Sequence, residues 1–224
     1  MINVIERNLL TIKNKISTAC KIYNKDLNSV KLIAVSKNCD EEKIINAINC
    51  GCKIFGENYI QEAKDKWQKI KKDFPDTKLH FIGHLQSNKA KDAVELFDVI
   101  ETLDNEKLAK EISKQAQKLQ KNPEIFIQVN IGEESQKSGI MPNEVGDFVK
   151  LCNELKLNIV GLMCIPPSDE LASPYFALLA KIAKENGLKQ LSMGMSSDFE
   201  EAIAIGTTQI RIGTAIFGAR EIKK

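Results

Sequence analysis

The chain of 224 residues carries 32 lysines and arginines against 30 aspartates and glutamates, so its formal charge is only +2. Because these charges are spread along the whole chain without a basic block, the sequence argues against a nucleic-acid partner. No apolar run approaches the roughly 18 residues that a membrane-spanning helix needs, which argues against a membrane partner. The six cysteines are scattered without a C-x-x-C pair, which is typical of reduced thiols in a cytoplasmic protein.

The first predicted elements are a helix over residues 3–23 and a strand over residues 32–35. The apolar residues of the helix recur three and four positions apart, at Ile5, Leu9 and Ile12, which is the spacing of an amphipathic helix. The apolar run at 32–35 is short, continuous and partly β-branched. It therefore predicts a buried strand of a parallel sheet.

Strand and helix patterns alternate along the rest of the chain. A helix is predicted to begin at Asp40 and end at Gly51, since a carboxylate caps a helix start and a glycine commonly ends one. Later helices are predicted over residues 198–205 and from starting points at Ser87, Asp104, Pro142 and near Pro174. Further strands are predicted at residues 53–55, 79–82, 98–102, 125–130, 158–163, 190–193 and 209–212. This order predicts a single-domain (β/α)8 TIM barrel over residues 1–224 with an extra N-terminal helix; the alternative is an open doubly wound sheet.

Lys37 follows the first strand, where such barrels place their active sites. A lysine at the mouth of an apolar scaffold is partly desolvated, which lowers the pKa of its ammonium and frees the amine to attack a carbonyl. The alternative is that Lys37 is one more solvated lysine in a lysine-rich chain. The other candidate residues follow the later strands, and they are Asn58, His84, Thr102, Asn130, Met163, Ser196, Ser197, Gly213 and Thr214.

The loops after the last two strands carry glycines and hydroxyls, at residues 194–197 and 213–214. In a TIM barrel these two loops commonly hold a phosphate, because glycine lets the backbone approach an anion and the amides at a helix start attract it. The alternative is that these residues cap two helices. Lys37 opposite a phosphate site suggests a phosphorylated aldehyde or ketone as the ligand.

Arg211 stands at the end of the last strand in a chain that has only two other arginines, Arg7 and Arg220. An arginine kept among so many lysines suggests a role for a planar, permanently charged fork of donors. For Arg220 chance is an equally good explanation.

Two pairs of residues raise other kinds of chemistry. His80 and His84 lie four positions apart, but the residues between them read as strand and loop, so we predict no metal site and interpret His84 as a pocket residue. Cys50 and Cys52 flank Gly51 and form a candidate reactive thiol pair, although burial near a helix end is the favoured interpretation.

Several motifs together resemble one known family over nearly the whole chain. They are AVSK at 34–37, FGENY at 55–59 followed by Gln61 and Glu62, HFIGHLQSNK at 80–89, GLM at 161–163, LSMGMS at 191–196 with Asp198, and RIGTAIFGAR at 211–220. The chain is identified on these motifs as resembling the YggS/PROSC proteins, the pyridoxal phosphate homeostasis family. Leu79, where the family often has Trp, and the short segment 166–175 depart from the pattern.

The resemblance implies a barrel of the alanine racemase N-terminal type, with pyridoxal 5'-phosphate (PLP) bound to Lys37 as a Schiff base. It also implies that Ser196 and the backbone of residues 213–214 hold the phosphate, with Ser197 beside them, and that Arg211 faces the pyridine nitrogen. The residues that the resemblance places around the ring are Asn58, Ile82, His84 and Met163.

The expected function is that of a PLP carrier or regulator without efficient turnover. A permanently cationic arginine favours the unprotonated pyridine ring, which weakens PLP as an electron sink. Racemases of similar barrel type tolerate the arginine, but the resemblance implies that they use a tyrosine from a second, β-rich domain as the opposite base, and no tyrosine follows the last strand here. The alternatives are a PLP-dependent amino-acid racemase and a Schiff-base aldolase without PLP. The expected partners are PLP and apo PLP-dependent enzymes, and the expected state is a monomer.

Overall fold

The computed structural model describes residues 3–218, so Arg220 lies outside the described residues. Its parallel strands close into one barrel, with β8 paired to β1 through Lys31 with Gln209 and Ala34 with Ile212. The closed barrel is therefore confirmed, and the open doubly wound sheet is wrong. The strands are β1 (Lys31–Val35), β2 (Ile54–Glu57), β3 (Lys78–Phe81), β4 (Val99–Leu103), β5 (Glu124–Val129), β6 (Ile159–Cys164), β7 (Gln190–Ser192) and β8 (Gln209–Ile212).

Helices alternate with these strands around the outside of the barrel. They are α1 (Val4–Ile22), α2 (Glu41–Asn49), α3 (Ile60–Asp73), α4 (Ala90–Leu96), α5 (Glu106–Leu119), α6 (Val145–Glu154), α7 (Ala172–Glu185), α8 (Phe199–Ile205) and α9 (Thr214–Phe217). The predicted N-terminal helix α1 buries Ile5, Leu9, Ile12 and Ile16, and it packs on α2, α8 and α9. Among residues 3–218, no helix combines the length and apolar character needed to cross a membrane.

Helix starts follow local capping chemistry, and one predicted cap is wrong. Asp40 caps α2 as expected, because its Oδ1 accepts a hydrogen bond of 2.8 Å from the Lys43 amide. The cap of α5 is Asn105 and not Asp104, since the side-chain Oδ1 of Asn105 accepts from the Leu108 amide at 2.9 Å. Three other starts shift. Short 3-10 turns precede α4 (Ser87–Lys89) and α6 (Pro142–Glu144), and α7 begins at Ala172, before Pro174.

Most of the core lies between the strands and the helices. There the rings of Phe55 and Trp67 are 5.0 Å apart, and Leu79 is fully buried on the outward face of β3. A separate small apolar cluster in the interior of the barrel contains Val99, Phe126 and Met163. Since side chains alternate along a strand, the two clusters are the two faces of the same wall.

Candidate cofactor site at the carboxyl end of the barrel

Lys37 lies two residues beyond β1, in the turn that follows this strand. Ile33 is paired with the inward residue Arg211, and alternation makes Val35 the last inward residue of the strand. Ser36 faces outward, because its hydroxyl donates to the buried carboxylate of Glu57 at 2.7 Å. The half-buried Lys37 therefore follows the carboxyl end of β1, the end where such barrels place their ligand sites.

The loop that carries Lys37 is held from outside by α3. Lys66 Nζ donates to the carbonyl oxygen of Ser36 at 3.0 Å and lies 2.9 Å from Glu57 Oε1. The Asn38 amide donates to Glu62 Oε1 at 2.6 Å, and the same carboxylate oxygen accepts from Lys66 at 2.8 Å. Sequence reasoning missed Lys66, although its place on the apolar face of α3 beside Ala63, Trp67 and Ile70 was a visible signal.

Asn58 lies at the end of β2, two residues after the inward Gly56. Its side-chain oxygen is buried and has no hydrogen-bond partner within residues 3–218. The loop after β3 packs tightly against the backbone of Asn58, because a Cβ at Gly83 would lie 2.1 Å from the Asn58 backbone carbonyl oxygen. Thr102 in turn donates to the Gly83 carbonyl at 2.6 Å, so the ends of β2, β3 and β4 are tied together.

The loops after β7 and β8 follow neighbouring strands, and β8 is paired with β1. The Arg211 amide in β8 donates to the Gly194 carbonyl at 3.0 Å, which ties the loop after β7 to β8. A Cβ at Gly213 would lie 3.4 Å from the Val35 side chain, so the second loop lies beside the strand that leads to Lys37. The hydroxyl-bearing residues of these loops are exposed, and they are Ser196, Ser197 and Thr214.

Arg211 is buried and belongs to a polar line across the barrel interior. Its Nη1 donates to Ser192 Oγ at 2.7 Å, and its Nη2 donates to the Cys164 carbonyl at 2.8 Å. Ser192 donates to Glu101 Oε2 at 2.6 Å, and His80 Nδ1 lies 2.6 Å from Glu101 Oε1. Sequence reasoning missed Glu101 and Ser192, whose only signal was a polar residue inside an apolar strand.

Glu101 is a buried carboxylate that stays ionised. Burial acts to raise its pKa, but the hydrogen bond and charge of His80, the charge of Arg211 and the hydrogen bond from Ser192 outweigh burial and lower the pKa. Arg211 is a permanent cation, so the interior of the barrel holds a compensated pair of charges.

The other predicted ring-pocket residues lie at different depths. Met163 is buried in the interior cluster, and Ile82 is half-buried at the end of β3. The side chain of His84 is 61% exposed at the rim, with its Nδ1 3.6 Å from Asp104 Oδ2 and 3.5 Å from Ser138 Oγ. Burial raises the pKa of Asp104, the residue that was wrongly predicted to cap α5.

Three further sequence candidates have other surroundings. Asn130 braces its own loop, because its Oδ1 accepts from the Glu134 amide at 3.2 Å and its Nδ2 donates to the Glu134 carbonyl at 2.9 Å. Cys50 and Cys52 are free thiols, and Cys52 is buried. Within residues 3–218 no cluster of three or more histidines, cysteines or carboxylates is arranged to hold a metal ion.

Comparisons with known proteins assign the family. The model of the alanine racemase N-terminal domain matches residues 5–221. The pyridoxal phosphate homeostasis protein of Haemophilus influenzae is 41% identical, with 96% of each chain covered. That of Pasteurella multocida is 42% identical, with 98% of this chain and 99% of the relative covered. The chain belongs to the pyridoxal phosphate homeostasis protein family.

Solved structures of relatives share the barrel. PipY of Synechococcus elongatus PCC7942, in a structure with PLP bound, is 35% identical with a TM-score of 0.82, covering 96% of this chain and 100% of PipY. An alanine racemase of Clostridium difficile 630 has a TM-score of 0.70 at 14% identity, covering 98% of this chain and 57% of the racemase. The second likeness shows the fold alone.

Proposed function

We propose that this protein binds PLP as a Schiff base on Lys37 and takes part in intracellular PLP homeostasis without efficient catalysis of its own. The observation that carries the proposal is that Lys37 and the loops after β7 and β8 all follow the carboxyl ends of neighbouring strands in one closed parallel barrel. The PLP bound to PipY and the names of the curated relatives support it. When bound, PLP supplies an aldehyde that condenses reversibly with a lysine amine and releases water.

The described residues fit this cofactor. The buried Asn58 oxygen without a protein partner is an acceptor that a hydroxyl of the ligand would satisfy. Ser196, Ser197 and Thr214 offer hydroxyls, and Gly213 offers backbone without a side chain, for the phosphate. The proposed ring contacts are Asn58, Ile82, His84 and Met163, with Arg211 facing the ring nitrogen.

Arg211 supports a role without turnover. A guanidinium has only donors and keeps its charge at every accessible pH, so it donates to a ring nitrogen and does not leave a proton on it. Two of its nitrogens are held by Ser192 and the Cys164 carbonyl, which restrains it from turning away. We therefore expect no sustained conversion of L-alanine to D-alanine by the pure protein. Such conversion would favour the racemase.

Borohydride trapping tests the covalent bond. Mixing with PLP, reduction and peptide mass spectrometry should place a reduced PLP adduct on Lys37. Lys37→Arg keeps the charge but lacks a primary amine, and it should remove the adduct. Lys31→Ala is the matched control, because Lys31 is exposed at the opposite end of β1. A protein that stays colourless with PLP, or Lys37→Arg binding as tightly as the parent, would refute the proposal. A trapped sugar in place of PLP would indicate the aldolase.

Delivery of PLP tests the homeostatic role. The PLP-loaded protein is mixed with an apo PLP-dependent enzyme, and recovery of enzyme activity is followed against free PLP at the same concentration. Faster recovery indicates transfer to the enzyme, and slower recovery indicates retention of PLP. The proposed monomeric state is checked in parallel by analytical ultracentrifugation of the loaded and unloaded protein.

A further inference from the structure

Four buried polar residues form one hydrogen-bonded line through the interior of the barrel. Arg211 on β8 contacts Ser192 on β7, Ser192 contacts Glu101 on β4, and Glu101 contacts His80 on β3, at 2.7, 2.6 and 2.6 Å respectively. Their exposures are 5% for Arg211, 0% for Ser192 and Glu101, and 2% for His80. Such groups are retained in a barrel interior only when each donor has an acceptor.

The donors and acceptors in this line have a fixed direction. A guanidinium has no acceptor, so Arg211 must donate to Ser192 Oγ. The single hydroxyl hydrogen of Ser192 is then donated to Glu101 Oε2. An ionised carboxylate only accepts, and His80 Nδ1 must therefore donate to Glu101 Oε1. The line thus converges on Glu101 from both ends.

The same line balances charge. A buried cation is costly unless an opposite charge and hydrogen bonds compensate it. Glu101 supplies the opposite charge for Arg211 across one hydroxyl group, and Ser192 with the Cys164 carbonyl fixes two nitrogens of the guanidinium. The orientation of Arg211 therefore depends on the Ser192 side chain, which is held in turn by Glu101.

We propose that Ser192 and Glu101 are positioning residues that aim the guanidinium of Arg211 at the ring nitrogen of PLP, and that His80 holds the Glu101 carboxylate in place. This inference rests on the proposed function. Neither Ser192 nor Glu101 is required to touch the cofactor. Their effect on binding passes through Arg211 and is confined to one atom of the ligand.

A first experiment needs no cofactor. The chain has only three arginines, so the side-chain ¹⁵N NMR spectrum of Arg211 is readily assigned by one substitution. In the parent, the restrained guanidinium should rotate slowly and give separate Nη signals. Ser192→Ala should merge these signals by freeing Nη1. Ser113→Ala removes a buried hydroxyl that bonds to the Leu155 carbonyl outside the barrel, and it should leave them separate.

A second experiment measures binding of PLP and of its carbocyclic analogue, in which carbon replaces the ring nitrogen. Ser192→Ala should weaken PLP binding about tenfold, the loss expected when a buried hydrogen bond to a charged group is removed. The analogue should be bound within about twofold of the parent by the same variant, because it offers Arg211 no acceptor. Glu101→Gln keeps the size of the side chain and should show the same pattern, which provides a second route if Ser192→Ala folds poorly.

The outcomes separate the two proposals. Equal losses for PLP and the analogue, or no loss for either, would overturn the positioning role while a Lys37 adduct in the parent leaves the proposed function standing. Merged Arg211 signals in the parent would also overturn it. If the parent forms no adduct on Lys37, the proposed function fails and the inference fails with it.

Discussion

The ammonium of Lys66 donates a hydrogen bond of 3.0 Å to the carbonyl oxygen of Ser36, the residue that precedes Lys37. The same ammonium lies 2.9 Å from Glu57 Oε1, in a pair whose side chains are 10% and 0% exposed. Helix α3 thus holds, from outside the barrel, the loop that carries Lys37. The buried charge of Glu57 depends on this contact.

Lys66→Met should destabilise the protein by about 3–5 kcal/mol, because it keeps the apolar stem but leaves the buried Glu57 carboxylate without its cation. Urea unfolding of the parent and the variant measures the difference. The control is Lys69→Met on the same helix, where the ammonium lies 3.5 Å from Glu41 and the side chain is 73% exposed. That change should cost less than about 1 kcal/mol. Similar losses of stability for the two variants would contradict the role of Lys66 beside the buried Glu57 carboxylate.

Glu101 should make stability depend on acid pH. Its pKa is lowered in the folded protein, so it contributes stability above its unfolded pKa, near the reference of 4.5, and this contribution is lost as pH falls through the folded pKa. Glu101→Gln should lack that part of the acid-induced loss in a series of urea unfolding curves from neutral to acid pH. Glu154→Gln, at an exposed position near the end of α6, is the control and should follow the parent closely. Parallel curves for Glu101→Gln and the parent would contradict the expectation.

The buried thiols should alkylate slowly in the folded protein. Burial raises the pKa of Cys52 to about 11 and those of Cys152 and Cys164 to about 12, from a reference of 9.0. At pH 8 a shift from 9.0 to about 11 lowers the thiolate fraction roughly 100-fold, and the thiolate is the reacting form. Iodoacetamide labelling read by peptide mass spectrometry should therefore be at least that much slower than in urea. Equal labelling rates of Cys52 in the folded protein and in urea would favour the interpretation of Cys50 and Cys52 as a reactive pair.

Gly194→Ala should damage the loop that leads to Ser196. Gly194 has a φ of +95°, and an added Cβ would lie 2.6 Å from Ala202 Cβ and 3.0 Å from Phe199 Cα. Gly187→Ala is a matched control, since Gly187 has a φ of +69° and nothing lies within 4 Å of its added Cβ. The control should cost about 1 kcal/mol of backbone strain, and Gly194→Ala about 2 kcal/mol more from crowding. Urea unfolding measures both, and equal costs would show that the clash is relieved without strain.

Local sequence features were sufficient to predict helices whose periodicity and capping involve only residues close together in the chain. The spacing of Ile5, Leu9 and Ile12 predicted α1, and the carboxylate of Asp40 predicted the start of α2, because periodicity and capping involve residues within a few positions. The same logic placed the α5 cap one residue early at Asp104. Two adjacent residues with capping side chains compete, and only the backbone geometry shows that Asn105 reaches the Leu108 amide.

The sequence by itself determined the alternation of strands and helices. It also determined that Lys37, Arg211 and the two glycine-containing loops lie at strand ends. Closure of the sheet was decided by tertiary structure, since the pairing of β1 with β8 joins residues from opposite ends of the chain. The hydrogen-bonded line that holds Arg211 was also decided by tertiary structure. Ser192 and Glu101 are 91 positions apart in the sequence, and His80 and Glu101 are 21 apart. A polar residue inside an apolar strand indicates that a hydrogen-bond partner is needed, but only the packed barrel brings the two side chains within hydrogen-bond distance.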